Sequence, residues 1–325
     1  MKFQQLALKT ELPKWRASMP VFAMAPAPVK QRHAVARKMA DHLQLGDLRA
    51  VELEHGLMLA SERGDITVFH ASGAIWARDA TANADAKDEL RDWPDLVSSS
   101  TGSADGGLTL SADAAKRLIS MTDDLLGSFD LLSREAGPAS VQLEQVGLLD
   151  AKGNELKRGA GQATVKYGYS IEGIAARGAG AKTLAFAEPG GASGSASRLA
   201  GVFHAWRPLG EAVEIKMPTL EASFDVALLH DPELERYAQV GHAITITRLE
   251  LVYLALPAFM RQSHLFPVFQ VEGEVAKGKL GEAFNFGRFH HVVSPKDYEA
   301  AGVYGPYLSM NPDGISPRAG RGVLN

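Results

Sequence analysis

The stretch YSIEGIAARGAGAKTLAFAEPGG, residues 169–191, decides the fold class, because its glycines mark either a phosphate-binding loop or a turn between strands. A Walker-type loop needs Gly, four residues, Gly and then Lys with Ser or Thr. Gly173 and Gly178 have this separation, but Ala179 stands where the lysine is required. A dinucleotide-binding fingerprint fails as well, since Thr183 occupies the position of its third glycine. Both motifs also place a helix directly after the loop, whereas TLAFAEPGG alternates and then contains a proline.

The same glycines lie between two segments that have the two-residue period of strands. Before them, VKYGYSI (residues 165–171) alternates large apolar or aromatic residues with smaller or polar ones. After them, Lys182 and Thr183 begin a second alternating segment. We therefore predict a β-hairpin turn at Gly178 and Gly180, where glycine permits backbone angles that other residues avoid.

Length, charge and cysteine content exclude several classes of protein. With 325 residues and 46% hydrophobic content, the chain exceeds the roughly 250 to 300 residues at which single cores stop growing. The net charge of −4 supplies no global positive field, so we predict no nucleic-acid partner. The absence of cysteine excludes disulfides and thiolate chemistry. No apolar run is long enough for a membrane span or a signal peptide, which predicts no membrane insertion and either a cytoplasmic protein or a mature form without its leader.

Helix-like stretches recur along the chain, and each precedes a block of alternating strands. Ser111 and Asp231 are the predicted N-caps of two of these helices. The order predicts an α+β fold of tandem modules, each a helix packed on an antiparallel meandering β-sheet. The predicted boundaries are an N-terminal module over 1–79, a flexible linker over 80–107, a central module over 108–217, a C-terminal module over 218–298 and an extended tail over 299–325.

Several strand and turn motifs are shared with a known group of proteins. The segment 165–213 contains Y-x-I-x-G-I, G-x-G-A-K and HAWRPL, and 249–275 contains LELVYLALP followed by LFPVFQVEGEV. LPKWRASMPVFAM and SGAIWARD stand near the N-terminus. These motifs resemble the PepSY-like and YycH/YycI-like tandem-module envelope proteins of bacteria. The resemblance implies helix-plus-sheet modules, an extracytoplasmic location and a regulatory, inhibitory or binding role, with no catalytic residues to carry across. This chain departs from the group in showing no signal peptide or anchor.

The densest polar and aromatic cluster is His204-Ala205-Trp206-Arg207. On a strand, His204 and Trp206 share one face and Arg207 takes the other. A catalytic hypothesis pairs His204 as acid/base with Glu172 and uses Arg207 as an anion clamp. The structural alternative makes Trp206 a core residue and pairs Arg207 with a carboxylate at a sheet edge.

The pair His290-His291 offers nitrogen ligands, but adjacent residues of a strand point to opposite faces. We therefore predict no metal site there. The loop 191–195 contains no Gly-x-Ser-x-Gly elbow that would position a nucleophile. The sequence carries no cofactor-binding motif, so we predict a protein without a cofactor.

Aromatic residues are concentrated in the C-terminal third of the sequence. Two hypotheses account for them, the core of a third module and an apolar ligand pocket or partner surface. Under the second hypothesis the binding residues are Phe259, Phe266, Phe284, Phe286, Phe289, Tyr304 and Tyr307.

Together these patterns favour a non-enzymatic binding or regulatory protein that acts through protein or ligand contacts between modules. The predicted partner is another protein, a small apolar ligand or a second copy of the chain. One alternative is a cofactor-independent isomerase, lyase or hydrolase acting on a small apolar organic substrate through His204, Arg207 and Glu172. Another is a self-assembling structural subunit.

Overall fold

The computed structural model describes residues 6–24, 28–80, 96–98, 108–149, 152–153, 155–188, 198–229 and 231–303. In chain order, the strands are β1 (Ala7–Leu8), β2 (Ser18–Met24), β3 (Arg49–Leu53), β4 (Gly56–Ala60), β5 (Gly64–Phe69), β6 (Ile75–Asp79), β7 (Leu96–Ser98), β8 (Leu108–Leu110), β9 (Ser140–Leu149), β10 (Glu155–Tyr167), β11 (Tyr169–Ile171), β12 (Ile174–Arg177), β13 (Thr183–Glu188), β14 (Arg198–His204), β15 (Leu209–Lys216), β16 (Ile244–Leu254), β17 (His264–Val275) and β18 (Phe284–His291). The helices are α1 (Val29–His42), α2 (Ala112–Ser128), α3 (Leu220–Leu229), α4 (Pro232–Gln239) and α5 (Pro295–Ala300).

The described chain is a mixed α+β protein with two eight-stranded sheets, which confirms the coarse fold class. Sheet I has the order β3-β4-β5-β6-β14-β13-β10-β9, and all its neighbouring strands are antiparallel. Sheet II has the order β11-β12-β16-β17-β2-β15, with β1 beside β16 and β18 beside β17. Two of its pairs, β1 with β16 and β12 with β16, are parallel. Strands β7 and β8 form a separate two-stranded pair.

Two helices pack on sheet I, one on each side of strands β13 and β14. Helix α1 contacts β5 and β6, and α2 contacts β9 and β10. In α2 the Ser111 hydroxyl accepts a hydrogen bond from the Ala114 amide at 3.1 Å, so the predicted N-cap is confirmed. Apolar residues at helical spacing, including Leu118 and Leu125, then face the sheet. Strands β13 and β14, which lie between β6 and β10, are therefore flanked by the two helices.

The segments TITRLELVYLALP and LFPVFQVEGEV both alternate, which predicts a hairpin around AFMRQSH. The structure confirms it, since sheet II is built around the long antiparallel hairpin of β16 and β17. Helix α4 begins at the second predicted cap, where the Asp231 carboxylate accepts from the Leu234 amide at 3.0 Å. Helices α3, α4 and α5 contribute Phe224, Leu234 and Tyr298 to the apolar core of this sheet. None of the helices in the described ranges combines the length and apolarity needed to cross a membrane.

The opening stretch differs from the single hairpin turn predicted at Gly178 and Gly180. Strands β10 and β13 are antiparallel neighbours, with Tyr167 opposite Thr183, but the chain between them leaves sheet I. It forms the small hairpin β11–β12, and β12 then joins sheet II beside β16. The tight turn of this small hairpin lies at Glu172 and Gly173, whose φ angles of 50° and 81° are both in the left-handed region.

The prediction for Gly178 is confirmed in part, because Gly178 has a φ of 96° and its carbonyl accepts from the Ala181 amide at 3.2 Å, which makes a turn. Gly178 and Gly180 also allow a close approach of two backbones. A Cβ on Gly178 would collide with the carbonyl oxygen of Ala255, and a Cβ on Gly180 would collide with that of Leu256. The Gly180 amide also donates to the Ala255 carbonyl at 3.1 Å. Glycine at both positions lets the connection pack directly on the chain that follows β16.

The tandem arrangement of modules is not confirmed, because both sheets combine strands from more than one predicted module. Sheet I takes β3 to β6 from the segment 1–79 and the rest of its strands from 108–217. Sheet II takes strands from 1–79, 108–217 and 218–298. The predicted domain boundaries stay a prediction. Most of the predicted linker, 80–107, and of the predicted tail, 299–325, lies outside the described residues.

Candidate functional site

A cleft of about 900 Å³ lies between α1 and α2 at the end of sheet I where β14 begins. We call it the interhelical cleft. It is lined by the last residues of α1 and its C-terminal turn, one face of α2, and the first residues of β14. The lining residues are His42, Leu43, Gln44, Arg117, Ser120, Met121, Asp124, Leu125, Ser128, Arg198 and Leu199.

The local structure explains why these side chains meet. Arg117, Met121, Asp124 and Ser128 are three or four residues apart on α2 and therefore project from the same side of that helix. Helix α1 ends at the opposite wall, where Gln44 has a φ of 54° and turns the chain away. The sheet separates the two helices because each contacts a different pair of strands.

The cleft has the mixed lining of a ligand site. Leu43, Leu125 and Leu199 are 6%, 5% and 9% exposed, so they present apolar surface from the edge of the core. Charged and polar groups are placed among them on both helices and on β14. Ligand pockets are typically clefts of about 300 to 1,000 Å³ with largely apolar walls and a few placed polar groups. The interhelical cleft falls within this range.

Arg198 is held at the cleft by two buried carboxylates. Its Nη1 donates to Asp79 Oδ2 at 3.0 Å, and its Nη2 lies 3.8 Å from Glu188 Oε2. The side chains of Asp79 and Glu188 are only 2% and 3% exposed, whereas that of Arg198 is 42% exposed. Arg63 Nη2 also lies 3.8 Å from Asp79. Carboxylates at this depth need paired charges, so the cluster fixes the Arg198 guanidinium while leaving part of it accessible.

The catalytic hypothesis predicted none of these residues. Asp79 lies on the same face of β6 as Ile75 and Ala77, whose side chains are in the core. This alternation is the local signal of its burial. Glu188 and Arg198 become neighbours through the pairing of β13 with β14. Nothing local to either strand indicates that pairing.

His204 instead belongs to a buried chain of hydrogen bonds at the other end of β14. Its Nδ1 lies 2.8 Å from Thr183 Oγ1, which lies 2.6 Å from the Tyr169 hydroxyl. Tyr169 in turn stacks on Trp206, with ring centroids 4.3 Å apart. Both aromatic residues are in the core, as the structural alternative predicted for Trp206. His204 is 3% exposed and does not line the interhelical cleft.

Burial controls the protonation states of His204 and Tyr169 in this series of hydrogen bonds. Burial, with a smaller contribution from the nearby Arg32 charge, lowers the pKa of His204 from 6.5 to about 3. Burial raises the pKa of Tyr169 to about 12. His204 is therefore neutral at physiological pH, far from the matched pKa that acid/base catalysis requires.

Arg207 does not form the predicted anion clamp, and it does not form the alternative ion pair. Its guanidinium donates to the carbonyl oxygens of Leu256, Pro257 and Met260 at 2.8 to 2.9 Å. Burial lowers the pKa of Arg207 to about 10. No acidic side chain in the described ranges forms a salt bridge with it. Arg207 therefore fastens the chain after β16 to the connection between β14 and β15.

Glu172 is not the carboxylate partner of His204. It lies on the exposed β11–β12 turn, where its Oε2 forms a salt bridge of 2.9 Å with Arg16, and its side chain is 61% exposed. The three residues of the catalytic hypothesis thus have three separate sets of partners. Their catalytic role stays a prediction that the geometry does not support.

The C-terminal aromatic residues are divided between core and surface. Phe266 and Phe286 are 0% and 6% exposed, so they belong to the core rather than to a binding surface. Phe284 and Phe289 are partly buried against the same core, and Phe259 is 37% exposed. Concentration in sequence does not distinguish these positions, because their burial depends on the faces of β17 and β18. Tyr304 and Tyr307 lie outside the described residues.

The two adjacent histidines take opposite faces of β18. His290 Nε2 lies 3.7 Å from the Asp231 carboxylate, whereas the His291 ring contacts Phe266 and Tyr298. Within the described ranges, no group of three or more His, Asp or Glu side chains is arranged to hold a metal ion.

A second cleft, of about 360 Å³, lies where the β11–β12 connection leaves sheet I. We call it the basic cleft, because its charged lining residues are Lys166, Arg177 and Lys182. Tyr167, Gly168 and Tyr169 form part of its wall, and Tyr169 connects the cleft to the buried hydrogen bonds that end at His204.

The fold and its clefts define a mixed α+β protein with two large sheets and helices packed on each. No family model and no curated protein matches the chain. Among solved structures, an uncharacterized protein from Eubacterium rectale ATCC 33656 is similar at 8% identity and a TM-score of 0.47, over 88% of this chain and 87% of that chain. A similarity at this level transfers no function. The resemblance to PepSY-like and YycH/YycI-like proteins stays a prediction.

Proposed function

We propose that the protein is a non-enzymatic binding protein whose ligand, a small organic molecule with an apolar body, occupies the interhelical cleft. The observation that carries the proposal is the cleft of about 900 Å³, whose mixed walls combine apolar side chains with a fixed Arg198. This retains the binding role predicted from the sequence. It moves the site from the C-terminal aromatic residues to the space between α1 and α2.

Preorganisation supports a binding role for this cleft. Both walls are helices packed on the same sheet, and the Arg198 guanidinium is already held by Asp79 and Glu188. A ligand that binds to such a site loses less free energy to the ordering of protein groups.

The charge balance around the cleft indicates the class of ligand. Arg198 and Arg63 offset Asp79 and Glu188, and along α2 Arg117 offsets Asp124. With opposite charges balanced, the site offers no net attraction to a strong anion or cation. The favoured ligand is therefore uncharged or zwitterionic, with an apolar body that covers Leu43, Met121 and Leu125.

Filling the cleft tests the proposal. N-phenyl-1-naphthylamine, an uncharged fluorescent amphiphile, serves as the probe, and the wild-type protein should bind it saturably. Ser120→Trp places a large side chain in the cleft and should weaken binding at least about tenfold, since the probe and the indole compete for one volume.

Lys116→Trp is the matched control, because Lys116 is an exposed residue of the same helix outside the cleft. It should bind the probe as the wild type does. Equal affinities for the wild type and both variants would overturn the assignment of the cleft, and so would an equal loss in both variants.

A further inference from the structure

The basic cleft combines three cationic side chains with no acidic lining residue. Lys166, Arg177 and Lys182 contribute the charges, and the rest of the lining is Gly, Pro, Ala, Ser and Tyr. This composition differs from the balanced charges of the interhelical cleft. It therefore indicates a different ligand.

The fold, rather than a local motif, brings the three cations together. Lys166 lies near the end of β10, and Lys182 directly precedes β13, which is the antiparallel neighbour of β10. Arg177 ends β12, where it is opposite Leu254 of β16. Because the connection leaves sheet I and returns, all three positions surround one space. The spacings of these three residues match no phosphate-binding motif, so no local sequence pattern indicates the site.

Of three nearby carboxylates, one is shared with a cation of the cleft and two are engaged by other groups. Glu250 lies 3.7 Å from Arg177 but 3.0 Å from Arg248, and it is shared between them. Asp123 accepts from the Tyr167 hydroxyl at 2.7 Å. Glu135 is bonded to Arg134 at 2.9 Å. None of these carboxylates lines the cleft, so the cleft retains a net positive charge.

We propose that the basic cleft binds a small organic polyanion that carries phosphate or carboxylate groups. Like charges held around one space repel, and a multiply charged anion between them relieves that repulsion and gains charge-assisted hydrogen bonds. Arg177 supplies a planar fork for two oxygens, and the lysines supply point charges. The volume of about 360 Å³ suits a small molecule rather than a polymer.

Calorimetric titrations of the full chain with pyrophosphate and with citrate test the proposal at low and high salt. We expect saturable binding of at least one of the two, weakened by added salt. The Lys166→Gln/Lys182→Gln double variant should lose at least about tenfold in affinity for that anion. Tighter binding of pyrophosphate would assign a phosphate ligand, and tighter binding of citrate a carboxylate ligand.

The control is the Lys216→Gln/Lys296→Gln double variant, which removes the same charge from exposed positions outside the cleft. It should retain wild-type affinity. Equal losses in the two double variants would mean a general charge effect and would overturn the proposal. So would the absence of binding of both anions to the wild type, or unchanged affinity in Lys166→Gln/Lys182→Gln. Failure here leaves the probe binding of the interhelical cleft unaffected, so the two proposals are tested separately.

Discussion

Tyr169 and Trp206 stack nearly parallel, with ring centroids 4.3 Å apart and ring planes at 7°. Each residue lies where the chain passes from sheet I to sheet II, Tyr169 two residues after the end of β10 and Trp206 two residues after the end of β14. The stack therefore links the two segments that connect sheet I to sheet II. The Tyr169 hydroxyl is hydrogen-bonded to Thr183, the first residue of β13, by which the chain returns to sheet I.

We expect the stack to contribute more to stability than the hydroxyl beside it. Trp206→Ala should destabilise the protein by about 3 to 5 kcal/mol, because it removes a buried aromatic ring and leaves a cavity. Tyr169→Phe keeps the stack and removes one hydrogen bond to Thr183, so it should cost about 0.5 to 1.5 kcal/mol. Urea unfolding of both variants measures the difference. A larger loss in Tyr169→Phe than in Trp206→Ala would contradict this ranking.

Gly180 should not tolerate even the smallest substitution, which is to alanine. Gly180→Ala forces a Cβ into the Leu256 carbonyl and should destabilise the protein by about 1 to 3 kcal/mol. Gly127→Ala is the matched control, since Gly127 lies in α2 with open space around its Cβ position and alanine favours a helix. That variant should be neutral or up to about 1 kcal/mol more stable. Thermal unfolding of the pair tests this difference, and similar melting temperatures would refute the close approach.

His204 should make stability depend on pH on the acidic side of neutrality. Its folded pKa of about 3 is below its unfolded value of 6.5, so between these values the unfolded chain binds a proton that the native protein does not. The contribution of His204 to the free energy of unfolding is complete above pH 6.5 and is lost as the pH falls toward 3. The slope of the unfolding free energy is up to about 1.4 kcal/mol per pH unit.

His204→Gln should remove that contribution, so its unfolding free energy should fall less steeply between pH 6.5 and pH 4 than that of the wild type. His55→Gln replaces an exposed histidine and should keep the wild-type slope. Urea titrations across this pH range give the three slopes. Parallel curves for the wild type and His204→Gln would show that the histidine is not buried as a neutral group.

The sequence predicted the elements that are determined by residues close to one another along the chain. The caps at Ser111 and Asp231 and the β16–β17 hairpin follow from neighbouring residues, and all three are confirmed. The course of the chain after β10 does not follow from neighbouring residues. Alternation followed by glycine fits one hairpin or two, and the choice depends on the pairing of Arg177 with Leu254, far away in sequence.

The candidate site was less accessible to sequence reasoning than the fold. The interhelical cleft joins the end of α1, one face of α2 and the first residues of β14, and none of these carries a motif. The cluster HAWR was conspicuous in the sequence, but its histidine and arginine are engaged by Thr183 and by backbone carbonyls. Residue types that are typical of catalysis also satisfy buried polar groups, and only their partners distinguish the two roles.

The charge balance of the interhelical cleft should determine which probe it prefers. N-phenyl-1-naphthylamine and its sulfonate derivative, 8-anilino-1-naphthalenesulfonate, share the same rings and differ by one negative charge. Asp124→Asn removes a negative charge from the lining and should shift the affinity ratio toward the sulfonate by about two- to tenfold, because the remaining arginines are then in excess. Asp113→Asn changes the same net charge at an exposed position of α2 outside the cleft and should leave the ratio unchanged. A ratio of two affinities is insensitive to small changes in stability. An equal shift in both variants, or none in Asp124→Asn, would separate the probe site from Asp124 and exclude the balanced-charge account of this cleft.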